Sequence, residues 1–278
     1  MKKNKDKKDK HHYISQCYLE FFTDPLTPPL HTPYVWILDK KNESITNKAP
    51  NNFAFIKGYN DIYDKDGNKS DIVEKQFGKI EGEAKNVLRK IKQLKYISKT
   101  ERYLLSEFVF SMMLRVPKFR DTFRKLVMEG YINELSDGKF KDIEISSEIS
   151  MDSVIRTTHV ASQLLQGMAW SLLIAPDHSH FITSDNPVVV RIPDDPNWLF
   201  IGFGHAGAQI TFPLNPKMCL FGEWERSRKI IEKVDADEVN DINFETYKYS
   251  DKFVYSNSKY FMKEILLVNH LVNKGLIN

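Results

Sequence analysis

The run His180–Gly222 decides the fold; it reads HFITSDNPVVVRIPDDPNWLFIGFGHAGAQITFPLNPKMCLFG. Four of its segments, HFITS, PVVVRI, AQITFPL and KMCLFG, are rich in β-branched and aromatic residues, so each predicts a short strand. Upstream of this run, apolar residues recur every three or four positions, which predicts helices. A helical centre followed by clustered strands is typical of an α+β fold, and we expect central helices packed on a mainly antiparallel sheet.

Three long helices are predicted before that run. The first covers residues 70–95 and carries a continuous apolar stripe. The second, TERYLLSEFVFSMMLRV, is predicted to begin with Thr100 as its N-cap, and it is apolar nearly all round, which is typical of a buried helix. The third covers residues 150–174, and a further helix is predicted at 236–248. The segments YVWILDK and NNFAFIKGYND predict two early strands.

Composition bounds the class of protein. The chain has 278 residues, of which 41% are hydrophobic, so it can build a sizeable core. Its 40 basic and 37 acidic residues nearly cancel, which excludes a histone-like polycation. The basic excess is local, because MKKNKDKKDK holds six lysines. We therefore predict a disordered basic tail at residues 1–10 and a single α+β domain over residues 11–278.

Cysteine content and hydropathy indicate the compartment. Cys17 and Cys219 are too few for a disulfide framework, and neither stands at metal-ligand spacing. The N-terminus lacks the apolar stretch of a signal peptide. The longest apolar run, around MAWSLLIA, is shorter than the roughly 20 residues that a membrane span needs. We therefore expect a cytoplasmic protein with no membrane partner, while the oligomeric state stays open.

The first group of polar candidates is His11, His12 and Gln16 in the motif HHYISQCYLEFF. Side chains at helical spacing predict a short helix or turn there, which would put Gln16 on the same face as one histidine. Because the pKa of histidine lies near neutrality, either ring suits a general base or a donor to phosphate. Two alternatives to these catalytic and phosphate-binding roles stay open. The histidine could be hydrogen-bonded within the core, or it could ligate a metal ion.

The second group is Glu74, Glu81 and Arg115. Arg115 lies on an apolar helix, and a buried guanidinium needs a carboxylate or several other acceptors. The two glutamates lie on the shoulder of the preceding helix, seven residues apart, so we predict that Arg115 is buried and bonded to one of them. Such a pair is either structural or serves to anchor a phosphate or orient a metal-bound carboxylate.

The third group is Ser184, Asp185 and Asn186 in ITSDNPVV. Asp and Asn before a proline favour a tight turn in which the side chains cap their own backbone. The turn follows a predicted strand, so the same residues could also form a site: Asp185 would bind a divalent ion or orient a histidine, and Asn186 would donate to an oxyanion. Both interpretations remain open from the sequence.

Six motifs together carry a resemblance to a known family. They are HHYISQCYLEFF, VWILDK, KIEGEAKNVLRKI, MLRVP, ITSDNPVV and FPLNPKMCL, in that order. The chain resembles, from residue 11 to residue 257, a bacterial family catalogued as domain of unknown function 4238. The resemblance implies a single-domain cytoplasmic protein of scattered occurrence, which suits a role in phage defence or as a toxin. It implies no reaction.

Missing motifs narrow the function. The sequence has no glycine-rich phosphate loop, Rossmann fingerprint, Gly-x-Ser-x-Gly elbow or zinc cysteine set, which argues against nucleoside triphosphatases, dehydrogenases and α/β-hydrolases. Sites assembled from scattered polar residues are common in nucleases. The leading hypothesis is a nuclease-like phosphodiester hydrolase that acts on RNA or DNA, with Mg²⁺ or Mn²⁺ as the candidate cofactor. The basic tail and the helix KFRDTFRK would hold the nucleic-acid backbone.

The hypothesis assigns roles to eight residues around one pocket. The catalytic candidates are His11, His12, Glu81 and Asp185, and the substrate-binding candidates are Gln16, Arg115, Ser184 and Asn186. The alternative is a non-enzymatic domain that senses a ligand or binds a protein partner, in which the same residues form a structural network.

Overall fold

The computed structural model describes residues 10–63, 68–122, 158, 161–192 and 204–274. These residues divide into two compact units. Unit 1 contains 10–13, 55–63, 68–122, 158 and 161–167, and unit 2 contains 14–54, 168–192 and 204–274. The basic tail, apart from Lys10, and the last three residues of the KFRDTFRK segment lie outside the described residues. That residues 11–278 form one domain stays a prediction.

Strands and helices do not follow one another in a regular β-α order along the chain, which is typical of an α+β fold. In chain order the described strands are β1 Lys10–His12, β2 Val35–Asp39, β3 Ser44–Lys48, β4 Phe55–Lys57, β5 Ile62–Tyr63, β6 Lys69–Ser70, β7 Ala169–Ile174, β8 Thr183–Ser184, β9 Val189–Arg191, β10 Gln209–Asn215, β11 Met218–Glu223, β12 Ile231–Lys233 and β13 Phe253–Ser256. The helices are α1 Gln16–Leu19, α2 Ile72–Lys92, α3 Lys99–Leu114, α4 Ala236–Tyr249 and α5 Lys259–Asn273. Residues 117–122 and 161–167 are also helical.

Unit 1 is built around α2 and α3, which pack against each other. The predicted stripe of α2 is its buried face: Val73, Phe77, Ala84, Val87, Leu88 and Ile91. The N-cap of α3 is Ser98 and not Thr100, because Ser98 and Glu101 form a reciprocal capping box. Two small antiparallel ribbons, β1 with β4 and β5 with β6, and the helical residues 117–122 and 161–167 also belong to this unit.

Unit 2 contains two mainly antiparallel sheets. One has the order β12-β7-β11-β10-β9, in which only the β12–β7 pair is parallel. The other has the order β3-β2-β13-β8 and is antiparallel throughout. The four strands predicted in the run 180–222 are present, as β8 to β11. Together with the helices they confirm the α+β fold class.

Helices α4 and α5 cover these sheets. Val239 and Ile242 of α4 join a buried cluster with residues of β7 and β11, including Leu173 and Phe221. Met262 of α5 packs in a second cluster with Leu38, Ile182 and Val254. Burial of apolar area on this scale supplies most of the stability of such a unit.

One predicted helix is wrong over part of its length. The predicted helix 150–174 is helical at 161–167 but gives way to strand β7, Ala169–Ile174. Strand β7 lies between β11 and β12 and has paired neighbours on both edges, so its run MAWSLLI is apolar without alternation. Periodicity alone cannot distinguish such a central strand from a buried helix. Residues 150–157 and 159–160 lie outside the described part.

Gly222 illustrates how closely these strands pack. It faces Trp170 across the β11–β7 pair, and a Cβ atom at residue 222 would lie 2.6 Å from the indole ring. We expect Gly222→Ala to lower the free energy of unfolding by about 1–3 kcal/mol through overpacking. Thermal and urea unfolding would measure the change. The matched control is Gly82→Ala in α2, where the added methyl group meets nothing within 4 Å. That variant should instead gain about 0.5–1 kcal/mol from helix propensity, and equal stability of both variants would contradict the packing described.

Candidate functional site

His11 and His12 lie on strand β1, not on the helix or turn predicted from the sequence. Because side chains alternate along a strand, the two rings point to opposite faces. His11 is buried, whereas His12 is half-buried and packs against Phe55 with 5.4 Å between the ring centroids. Gln16 is half-buried at the first position of α1, which belongs to unit 2.

Both ring nitrogens of His11 face protein groups. Its Nδ1 accepts the main-chain N–H of Asn60 at 2.8 Å, so the proton of the neutral ring resides on Nε2. That Nε2 lies 3.5 Å from Oδ1 of Asp61, and a carboxylate oxygen of Glu74 lies 3.8 Å from Nδ1. The fold therefore selects one tautomer of a buried histidine between two carboxylates.

The groups around His11 are linked further by hydrogen bonds and ion pairs. The side chain of Asn60 donates to Glu74 and accepts from Arg120. Arg120 also donates to the carbonyl of Tyr59 and stacks on its ring, with Cζ 3.9 Å from the centroid. Lys69 pairs with Asp61 at 2.8 Å. We call this set the His11 network: His11, Asn60, Asp61, Lys69, Glu74 and Arg120.

Arg115 and Glu81 form the predicted buried pair. Arg115 is 2% exposed, and its Nη1 donates to the Glu81 carboxylate. The guanidinium lies over the ring of Phe77, 4.7 Å from the centroid, and Nη2 lies 3.6 Å from Sδ of Met112. The prediction that Arg115 is buried and bonded to one of the two glutamates is confirmed, with Glu81 as the partner.

Asp185 holds a turn in unit 2. Its carboxylate is buried and accepts three main-chain N–H groups, from Asp251 at 2.8 Å, Lys252 at 2.7 Å and Phe253 at 2.9 Å. Burial raises the pKa of this carboxyl, and the three N–H groups oppose the rise. Both oxygens are therefore committed to the turn that leads into β13.

Ser184 and Asn186 make local contacts of the same kind. The Ser184 hydroxyl accepts the N–H of Asn186 at 3.1 Å and donates to its carbonyl at 2.9 Å. The Asn186 side chain donates to the carbonyl of Tyr249, at the C-terminal end of α4, at 3.0 Å. These contacts match the interpretation of ITSDNPVV as a self-capped turn.

The eight predicted site residues divide between the two units. His11, His12, Glu81 and Arg115 belong to unit 1, whereas Gln16, Ser184, Asp185 and Asn186 belong to unit 2. Within a unit, the structure brings together Arg115 with Glu81, and Ser184 with Asn186. Convergence of all eight on one pocket stays a prediction.

A cavity of about 470 Å³ opens in unit 2 between α4, α5 and the segment that precedes β8. We call it the α4–α5 cavity. Its walls carry three aromatic side chains, Phe244 and Tyr247 from α4 and Phe261 from α5. His180 and Asn243 are among the polar groups that line it. A volume of this size lies within the range of small-molecule sites, about 300–1,000 Å³.

His180 is the titratable group with the most distinctive surroundings in this cavity. Its Nδ1 lies 3.2 Å from Oδ1 of Asn257, and its ring tilts against Phe261 at 4.4 Å between centroids. Burial, and then the charge of Lys217, lower the pKa of His180 below its ordinary value. The imidazole is therefore neutral at pH 7. Asn243 accepts the N–H of Ile182 and donates to the carbonyl of His180, which holds this segment against α4.

A second cavity of about 470 Å³ in unit 2 differs in charge. Arg191 and Arg228 line it beside several carboxylates from α4 and the residue before it. Arg228 is already paired with Glu232 and Glu238, and Arg191 donates to Gln209. In the part of the chain that the structure describes, no three His, Cys, Asp or Glu side chains are placed to hold a metal ion.

These observations define the class: an α+β protein with the His11 network in unit 1 and two cavities of about 470 Å³ in unit 2. Residues 10–260 match the family described as protein of unknown function (DUF4238), and the chain belongs to that family. No curated protein and no solved structure matches the chain. Among the described helices, none has the length and apolar character to cross a membrane.

Sequence reasoning missed most partners of the site residues. Asn60 and Asp61 end the segment NNFAFIKGYND, which predicts a strand and gives no sign of contacts with His11. Arg120 lies in KFRDTFRK, the segment expected to hold a nucleic-acid backbone, yet its guanidinium donates to Asn60. His180 begins the strand-like segment HFITS, and its pairing with Asn257 joins residues 77 positions apart. The local sequence indicates only that these side chains are polar, and it does not indicate which residues they contact.

Proposed function

We propose that this protein is a non-enzymatic domain that binds a small ligand in the α4–α5 cavity. The observation that supports this function over catalysis is that three of the four predicted catalytic residues, His11, Glu81 and Asp185, already contact protein groups. Both nitrogens of His11 face protein groups, Glu81 is bonded to Arg115, and both oxygens of Asp185 accept main-chain N–H groups. A general base needs a free lone pair within reach of the substrate proton.

The α4–α5 cavity, in contrast, has side chains that are open to a ligand. It combines aromatic walls with a few polar side chains, which is the usual composition of ligand pockets. Phe244, Leu267 and Val268 line it and remain 40%, 60% and 44% exposed. When a ligand covers apolar side chains that face an open cavity, the burial of their surface makes the free energy of binding more favourable.

A fragment screen with a blocked variant tests this function. Ligand-detected NMR would record which members of a library of small neutral and charged fragments bind the full-length protein. Val268→Trp places an indole in the cavity from an exposed position on α5 and should abolish binding. The matched control is Ile72→Trp, which adds the same ring at an exposed aliphatic position on α2 and should bind like the parent. A library that binds neither parent nor control, or binds all three proteins alike, would contradict the proposal.

The second candidate function is the phosphodiester hydrolase, and the His11 network favours it. A histidine with two carboxylates within 4 Å and two cations nearby, Lys69 and Arg120, contains groups suited to acid–base chemistry beside a phosphate. A cytoplasmic effector of phage defence or a toxin system that acts on RNA or DNA would fit this candidate. The nuclease interpretation requires that the network open to substrate.

A cleavage assay decides between the two candidates. The purified protein would be incubated with total RNA and with plasmid DNA, in EDTA and with Mg²⁺ or Mn²⁺. The binding function predicts no cleavage in any condition. Cleavage that is lost in His11→Gln and kept in His31→Gln, an exposed histidine of unit 2, would establish the hydrolase instead.

A further inference from the structure

We infer that the ligand of the α4–α5 cavity is an uncharged aromatic molecule that carries one hydrogen-bond donor. This inference rests on the proposed binding function and adds the chemical class of the ligand. Three features of the cavity support it: the spacing of its aromatic side chains, the charges around it and the acceptor that His180 presents.

The aromatic side chains follow from helix geometry. Asn240, Asn243, Phe244 and Tyr247 recur at intervals of three and four along α4, so they share one face of that helix. Phe261 stands on the facing helix α5 and is contacted by the His180 ring. Rings on two opposed helices favour a flat ligand that can lie between them, because offset and edge-to-face ring pairs are worth about 0.5–1.5 kcal/mol beyond area burial.

The charges disfavour an anionic ligand. Among the described residues that line this cavity there is no lysine or arginine, and the carboxylate among them, that of Glu264, is hydrogen-bonded to Tyr260. Two lysines lie nearby, but their ammonium groups are taken up by the protein: Lys217 donates to three main-chain carbonyls, and Lys40 donates to the carbonyls of Tyr247 and Ser250. An anion would therefore lose its water in exchange for only the long-range attraction of these two ammonium charges, without a direct ion pair.

The same surroundings disfavour a cation beside His180. The charge of Lys217 opposes protonation of the imidazole, and it opposes any other positive group at that position for the same reason. Glu264 lies on α5 and is exposed, so water screens its attraction for a cation. An uncharged ligand avoids both the desolvation of a charge and the repulsion by Lys217.

The donor requirement comes from the His180 tautomer. Oδ1 of Asn257 can only accept, so Nδ1 of His180 carries the proton. In the neutral ring Nε2 then keeps its lone pair, for which the described residues supply no hydrogen-bond donor, so a ligand with an N–H or O–H group would complete this histidine.

A matched series of indoles tests the class. Indole is uncharged and has one N–H donor, 1-methylindole lacks the donor, indole-3-acetate adds a negative charge and tryptamine adds a positive one. Calorimetric titration of the full-length protein should rank indole first. We expect about 3- to 10-fold weaker binding of 1-methylindole, the size of one neutral hydrogen bond. The two charged compounds should bind at least about tenfold more weakly than indole, because their charge is desolvated without a partner.

Two variants locate the effect. His180→Phe keeps a ring against Phe261 and removes the acceptor, so indole and 1-methylindole should bind it equally. His31→Phe changes an exposed histidine of the same unit and should keep the preference for indole. Val268→Trp, which leaves His180 in place, should abolish binding of the whole series and keeps the test valid if His180→Phe does not fold.

The outcomes separate the two proposals. If tryptamine or indole-3-acetate binds tightest and Val268→Trp abolishes that binding, the ligand class is overturned while the binding function stands. Equal affinity of the parent for indole and 1-methylindole would overturn the donor requirement. If no indole binds but other fragments bind in a Val268→Trp-sensitive way, the class again fails alone. If nothing binds, both proposals fail.

Discussion

Arg115→Ala is expected to lower the free energy of unfolding by about 3–5 kcal/mol, the usual cost of breaking a buried ion pair from one side. The substitution removes the guanidinium from its bond to Glu81 and from its contact with the ring of Phe77. It also leaves the Glu81 carboxylate without the positive charge of its partner, and it opens a space beneath α2. Urea unfolding followed by circular dichroism would measure the loss.

Two further variants show whether charge burial is the cause. Arg89→Ala removes an exposed arginine from α2 and should change stability by no more than about 0.5 kcal/mol. The double variant Arg115→Met with Glu81→Leu should recover most of the loss, because an apolar pair of similar volume often replaces a buried ion pair without cost. If Arg115→Ala melts like the parent, Arg115 does not occupy the interior.

Asp185→Ala is expected to cost about 2–4 kcal/mol. The substitution removes the acceptor of three main-chain N–H groups, at residues 251, 252 and 253, and each unsatisfied donor costs about 1–3 kcal/mol unless water reaches it. Asp251 and Lys252 are exposed, so part of the loss is recovered by hydration. Asp251→Ala, a change at the exposed neighbour, is the control and should be nearly neutral.

The Asp185 carboxyl also predicts a pH dependence. Because burial raises its pKa, the folded state holds this proton more tightly than the unfolded state. Its contribution to stability is therefore largest below the ordinary aspartate pKa of about 3.9 and falls as the pH rises through the raised folded value. Asp185→Asn cannot titrate and should remove this component of the slope. An unchanged slope in Asp185→Asn would show that other groups account for it.

The sequence predicted much of the local structure and part of one network. The stripe of α2, the strands β8 to β11 and the pairing of Arg115 with a glutamate of α2 follow from periodicity and from the cost of burying a charge. These features depend on residues close in sequence, or on a charge with few possible partners. The family also follows from the sequence, since residues 10–260 match it.

Tertiary structure decided the rest, because the deciding contacts join residues far apart in the chain. Strand β7 looks helical by composition and becomes a strand because β11 and β12 pair with both its edges. His11 acquires one tautomer only when Asn60 donates to it from 49 positions away. Asp185 holds a turn 66 to 68 positions further on, and the α4–α5 cavity exists only where two helices face the segment before β8. Local sequence determines which residues are apolar or polar, whereas burial and the identity of each partner are properties of the folded chain.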